Sequence, residues 1–123
     1  MTREEMERNG LVRKASFESG FISMLSEIAS VLPVAHTVFS KEQKLPYSIW
    51  NENEGEFIFA DGKIVRGRVG ITLEVYHAVN DTATIPEIER ILEKHDKLQS
   101  SQSFYIDSEK CKMTTFDFTV RKD

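Results

Sequence analysis

The stretch that decides the fold is Val69-Gly70-Ile71-Thr72-Leu73-Glu74-Val75-Tyr76-His77-Ala78-Val79, followed by Thr84-Ile85-Pro86-Glu87 and a run reading EIERILEKHDKL from Glu87 to Leu98. Val69, Ile71, Leu73, Val75 and Val79 share one parity, and Gly70, Thr72, Glu74, Tyr76 and Ala78 share the other. Such alternation belongs to a strand with one buried face. The run that follows has helical spacing: Ile85, Ile88, Ile91 and Leu92 build a stripe that extends to Leu98. Thr84 and Glu87 match a capping box, and Pro86 lies in the first turn, where its missing N–H is harmless.

Working outward, an earlier helix is expected from 16 to 32. Phe17, Phe21, Met24, Leu25, Ile28, Val31 and Leu32 recur at three- and four-residue spacing, Ser16 is the candidate N-cap, and Pro33 stops the helix. Val34–Phe39 reads as a short strand and 40–45 as a polar loop. Pro46 opens a second strand through Tyr47, Ile49, Trp50 and Asn51. Glu56–Phe59 reads as a short strand ended by the turn signal Asp61-Gly62. Gly67 and Gly70 suggest a bulge or a close backbone approach. Ser100-Ser101-Gln102-Ser103 reads as a polar connector before two last strands, Phe104–Asp107 and Lys112–Arg121. The order is helix, strands, helix, strands. The expected fold class is therefore α+β, a mainly antiparallel sheet with two helices packed against it. Residues 15–123 make one domain. Residues 1–14 are a charged arm, frayed or a short helix that orders only on a partner.

The chain has 123 residues, 40% of them hydrophobic, with eight Phe, which suits a single modest core. No apolar run approaches the roughly 20 residues that span a bilayer, and MTREEMERNG lacks the apolar stretch of a signal peptide. A cytosolic protein with no membrane partner is expected. Cys111 is the single cysteine, so no internal disulfide is possible.

Net charge is -4, with pI near 5.4, and no basic patch marks a nucleic-acid binder. Residues 51–62 carry Glu52, Glu54, Glu56 and Asp61 with no Lys or Arg, so this segment alone matches the net charge of the chain. It reads either as a solvated loop or as a deliberately anionic surface.

No reaction is legible. Gly67-Arg68-Val69-Gly70 lacks the Lys and following helix of a phosphate-binding loop. His36, His77 and His95 are scattered, so no metal site and no cofactor are expected. His77 falls on the inward face of the long strand, and His95 on an exposed helix face. Cys111, flanked by Lys110 and Lys112, has no partner base in sequence and reads as structural rather than as a nucleophile. Asp107 and Glu109 are explained by turn chemistry, so no catalytic residue is assigned. Tyr47 and Trp50 fall on opposite faces of one strand. One of them lies away from the core unless helices cover both sides. An outward Trp50 beside the acidic segment is a candidate interface anchor.

In this order the chain resembles the tail-terminator or tail-completion proteins of long-tailed bacteriophages and prophages, also described as minor head–tail joining proteins. The matching stretches are Leu32-Pro33-Val34-Ala35-His36-Thr37-Val38-Phe39, Leu45-Pro46-Tyr47-Ser48-Ile49-Trp50 and Phe59-Ala60-Asp61-Gly62. They continue with Ile71-Thr72-Leu73-Glu74-Val75-Tyr76, Ile85–Leu92 and Phe104-Tyr105-Ile106-Asp107-Ser108-Glu109-Lys110. The resemblance covers about residues 15–120 and rests on order and spacing, because each phrase alone is common. Residues 1–14 depart from it. The resemblance implies a non-enzymatic structural protein of the virion, assembled in the bacterial host cytoplasm. It implies a ring, usually a hexamer, that caps the tail tube and forms the head–tail joining interface. Its partners would be copies of itself, the tail tube protein and head–tail connector proteins, with DNA passing through the channel and no specific nucleic-acid binding. Trp50, Glu52, Glu54, Glu56 and Asp61 are the candidate interface or channel-facing residues, since an acidic lumen would not grip phosphates. Two alternatives are another phage connector or adaptor component, and a small-ligand-binding or enzymatic α+β module.

Overall fold

Strand β5, Arg68–His77, has partners on both sides, which makes it the middle of the sheet. In a computed structural model that describes residues 17–53, 59–60, 63–64 and 67–122, the order is α1 (Ser19–Ala29), β1 (Val34–His36), β2 (Tyr47–Glu52), β3 (Phe59–Ala60), β4 (Lys63–Ile64), β5, α2 (Thr84–Lys94), β6 (Ser100–Ile106) and β7 (Cys111–Arg121). A single 3-10 turn, Asp107–Glu109, separates β6 from β7. Five strands form one sheet in the order β1-β2-β5-β7-β6, antiparallel except for β1 with β2, and β3 pairs with β4 separately. This is the expected α+β class: two helices and a mostly antiparallel sheet among the described residues.

Register turns the alternation into a core. Leu73 lies opposite Trp50 on β2 and Phe116 on β7, and Ile71 lies opposite Phe118. Both helices cover this face: Phe21, Met24, Leu25 and Ile28 from α1 and Ile88, Ile91 and Leu92 from α2 join one buried cluster with Trp50, Leu73 and Phe116. Burying a side chain of this size contributes about 1.5–3 kcal/mol, so the ten or so largest members dominate folding.

The helix ends differ from the expectation. Residue 16 lies outside the described residues, and α1 starts at Ser19 with no side-chain cap. Glu18 instead accepts the Arg121 N–H at 2.8 Å and pairs with Lys97 Nζ at 3.1 Å, tying the helix start to the end of β7. Burial alone would raise the Glu18 carboxyl, but the Arg121 N–H and Lys97 together hold it below its ordinary 4.5. Helix α2 is not capped by the Thr84–Glu87 box. Asp81 Oδ1 accepts the N–H of Ala83 at 2.9 Å and of Thr84 at 3.0 Å, and Asp81 Oδ2 accepts the Thr84 hydroxyl. The helix stops before Leu98, which is 39% exposed. Asp96 takes φ 58°, and Lys97 N–H reaches Leu92 O at 2.8 Å while Asp96 N–H reaches Glu93 O at 3.0 Å. That is a Schellman stop built on Asp instead of the usual Gly.

Two strand assignments also shift. The long strand ends at His77, and Val79 is half exposed in the following turn. Ser100–Ser103, expected as a connector, is the first half of edge strand β6, and its Ser-Gln-Ser sequence leaves a polar rather than sticky edge. At Gly67, φ is 77° and its carbonyl accepts the Lys122 N–H, whereas Gly70 stays in regular register with Thr119, so there is no bulge there. The Asp61-Gly62 turn lies outside the described residues, between the paired Ala60 and Lys63.

Candidate protein interface

Trp50 is fully buried, which corrects its assignment as an outward anchor. Its parity on β2 is that of the core: it stacks on His36 at 4.0 Å and receives the edges of Phe17 at 5.6 Å and Phe21 at 5.2 Å. The outward aromatic of this strand is Tyr47.

Glu52 does not project into solvent either. It lies opposite Ile71, on the helix side of the sheet, and its side chain is only 12% exposed. Lys122 Nζ sits 3.6 Å from Glu52 Oε2 and over the Phe17 ring, so Glu52 helps close the lower end of the core. Glu54, Glu56 and Asp61, the other acidic candidates, lie outside the described residues.

The face of the sheet opposite the helices carries a feature the linear sequence did not single out. Tyr47, Tyr76, Met113 and Phe104 are cross-strand neighbours in one row across β2, β5, β7 and β6. Tyr47 and Tyr76 stack with centroids 4.9 Å apart, and Phe39 meets Tyr47 edge-on at 5.8 Å. Phe104 is 46% exposed at the sheet edge. Towards the other end of this face the rows become polar: Ile49, Glu74, Thr115 and Gln102, then Asn51, Thr72, Asp117 and Ser100. There the Thr72 hydroxyl lies 2.5 Å from Asp117 Oδ1 and 2.9 Å from Asn53 Oδ1.

Loop 37–46, which joins the parallel β1 and β2, folds over the apolar end and leaves a groove of about 400 Å³. Phe39, Leu45, Tyr47, Ile49 and Cys111 line it together with the charged Lys41, Glu42 and Glu109. Burial pushes the Tyr76 hydroxyl up to about 12, with help from Glu74. Burial, then Glu109, raises Tyr47 and Cys111 as well. A buried thiol held up in this way is poorly placed to act as a thiolate nucleophile.

The histidines are apart. His77 is buried, with Nε2 2.9 Å from Thr114 Oγ1, which in turn meets Ser103 Oγ at 2.9 Å. His95, expected on an exposed face, is half-buried, and its Nε2 lies 3.1 Å from Glu27 Oε1, where Lys94 also binds at 3.0 Å. This contact joins α2 to α1. Among the described residues no group of three or more His, Cys, Asp or Glu could hold a metal ion, and no helix is long and apolar enough to cross a membrane.

The arrangement presents contact surface: a half-exposed row of aromatics and Met113, a groove at its end, and the exposed edge strand β6. The signal in the sequence was parity. Tyr76 falls opposite to Val75 in a strand whose other parity is core, and Phe104 follows a segment too polar to read as a strand. No protein-family model, no curated protein and no solved structure matches this chain.

Proposed function

We propose that this chain is a structural subunit of a long-tailed bacteriophage or prophage, a tail-terminator or tail-completion protein that caps the tail tube and forms the head–tail joining surface as a ring. The observation that carries the reading is the row of Tyr47, Tyr76, Met113 and Phe104 on the sheet face opposite the two described helices, which ends at the exposed edge strand β6. Stacked aromatics on a partly desolvated surface are what protein interfaces use as anchors. A ring needs a heterologous contact between two different patches, which an asymmetric sheet with unlike edges supplies. The element order supports the same reading. Leu32-Pro33 falls just after α1, Pro46-Tyr47 opens β2, Leu73–Tyr76 lies inside the central strand, and Glu109-Lys110 forms the last turn.

In this reading the partners are copies of the chain, the tail tube and the head–tail connector proteins. DNA crosses the channel without specific binding, and the protein resides in the virion. The test is assembly. Tubes polymerised from the tail-tube protein of the same phage are mixed with this protein and viewed by negative stain, with light scattering on the free protein. Six copies of 14.1 kDa give a ring of about 85 kDa seated at one tube end. A two-fold dimer at every concentration that ignores tube ends would reject the reading. The groove favours a second reading, a small-ligand module, which predicts a thermal upshift with a discrete ligand and no ring.

A further inference from the structure

We propose that the groove between loop 37–46 and the start of β7 is a docking site for an arginine-bearing segment of a partner protein. Glu42 and Glu109 hold the guanidinium, while its aliphatic stem and an apolar neighbour pack on Phe39, Tyr47 and Leu45. The inference goes beyond the ring reading and does not depend on it.

The apolar part is built by the loop. The chain turns at Thr37, where φ is 71°, and then leaves Val38 69% and Leu45 39% exposed. Both of these exposed apolar side chains line the same groove. Beside them Phe39 meets Tyr47 edge-on, and Tyr47 stacks on Tyr76. Rings already held by one another lose little freedom when a partner covers them. A volume of about 400 Å³ admits a few side chains and not a folded element.

The charge of the groove is negative. Two carboxylates, Glu42 and Glu109, line it with one cation, Lys41, and all three are exposed. Lys110 is engaged by Asp107 at 3.3 Å. Lys112 pairs in register with His77 and so falls on the helix side of the sheet. The carboxylates and the aromatic rings belong to one site. Burial raises the Tyr47 hydroxyl first, and Glu109 and Glu42 are among the charges that raise it further. Glu109 Oε2 also lies 4.0 Å from Cys111 Sγ. Glu74 adds a third carboxylate that acts on the neighbouring Tyr76.

This combination selects the occupant. A wholly apolar groove would take Leu or Phe, and an acidic patch without rings would take any cation. Carboxylates beside aromatic rings suit arginine, whose planar guanidinium forks onto a carboxylate, is weakly hydrated and lies well against a ring. Its three-carbon stem covers apolar surface on the way. An acidic segment would meet repulsion from Glu42, Glu109 and Glu74 with only Lys41 to offset it.

The test titrates the full chain with the peptide acetyl-Ala-Leu-Arg-Ala-amide and follows backbone amide signals by NMR. Those of Tyr47, Ile49 and Cys111 should shift and saturate, with a dissociation constant on the order of 1 mM. The same peptide with citrulline, the uncharged isostere of arginine, should bind about five-fold more weakly or worse. Glu42→Gln with Glu109→Gln should weaken the arginine peptide by a similar factor, with the thermal melt unchanged because both side chains are exposed. Glu42→Lys with Glu109→Lys should reverse the preference towards acetyl-Ala-Leu-Glu-Ala-amide. Equal binding of the arginine and citrulline peptides, or no shift at these three amides, would overturn the proposal. Agmatine, a free guanidinium on a short stem, binding as tightly as the peptide would also overturn it, because the groove would then be a site for a small cation. All arms use the free chain, so their failure leaves the tube-capping test of the ring reading untouched.

Discussion

The two faces of the central sheet each carry a row of large apolar and aromatic side chains, for opposite ends. On the helix side, Trp50, Leu73 and Phe116 form one cross-strand row, and all are buried beneath α1 and α2. On the other side, Tyr47, Tyr76, Met113 and Phe104 form a second row that neither of the described helices covers, half-buried at most and exposed at Phe104. The first row stabilises the monomer by removing apolar area from water. The part of the second row still exposed can gain that free energy from another molecule. Aromatic content therefore says little about role until the face is known.

The largest effect expected from breaking this contrast is in the covered row. Trp50→Ala should cost about 3–5 kcal/mol and Leu73→Ala about 2–5 kcal/mol, by loss of burial plus the cavity left. Chemical denaturation would register both, and a melt of Leu73→Ala indistinguishable from the parent would refute the core assignment.

A smaller effect is expected in the uncovered row. Tyr76→Thr keeps a strand-forming residue and removes the stack on Tyr47, worth about 0.5–1.5 kcal/mol beyond the area buried, so it should cost less than Leu73→Ala. If this row is an interface, the same variant should lose ring formation while staying folded. A loss of stability as large as that of Leu73→Ala would mean that the outer row is a second core.

The Asp81 cap sharpens the comparison from outside both rows. Asp81→Ala should cost about 1 kcal/mol at neutral pH, through loss of the bonds to Ala83 and Thr84. The Thr84 hydroxyl, followed by the two backbone donors, holds the Asp81 carboxyl below its ordinary 3.8. A depressed carboxyl contributes stability that is present above the unfolded value and lost as pH falls through the folded one. The penalty of Asp81→Ala should therefore be constant above about pH 5 and shrink as the solution is acidified further. A penalty that grew in acid would contradict the assigned cap.

The smallest effect is at the edge. Phe104→Ser should change monomer stability by no more than about 0.5 kcal/mol, as surface changes do. Its consequence should be confined to association, measured by sedimentation. A clear fall in the melting temperature would show that Phe104 packs within the monomer.

Much of this fold was legible because its signals are local. The alternation in 69–77 defined the central strand, and the three- and four-residue spacing in Phe21, Met24, Leu25 and Ile28 and in Ile88, Ile91 and Leu92 defined both helices. What was misread has local causes too. The stop after His95 uses Asp in a conformation where Gly is the usual marker, and the α2 cap comes from Asp81, three residues ahead of Thr84. Ser100–Ser103 carries no apolar period, since an edge strand with polar residues on both faces needs none.

By itself the sequence determined the α+β class, the central strand, and the opposite parities of Tyr47 and Trp50, because periodicity depends only on residues near one another in the chain. Only the tertiary structure decided which of the two aromatics faces the core. Which parity is buried depends on where the helices dock, and that is set by residues far apart in sequence. The same holds for the outer row and its groove. Tyr47, Tyr76, Phe104 and Met113 become neighbours through strand register, and register is a relation between strands that no single stretch of sequence contains.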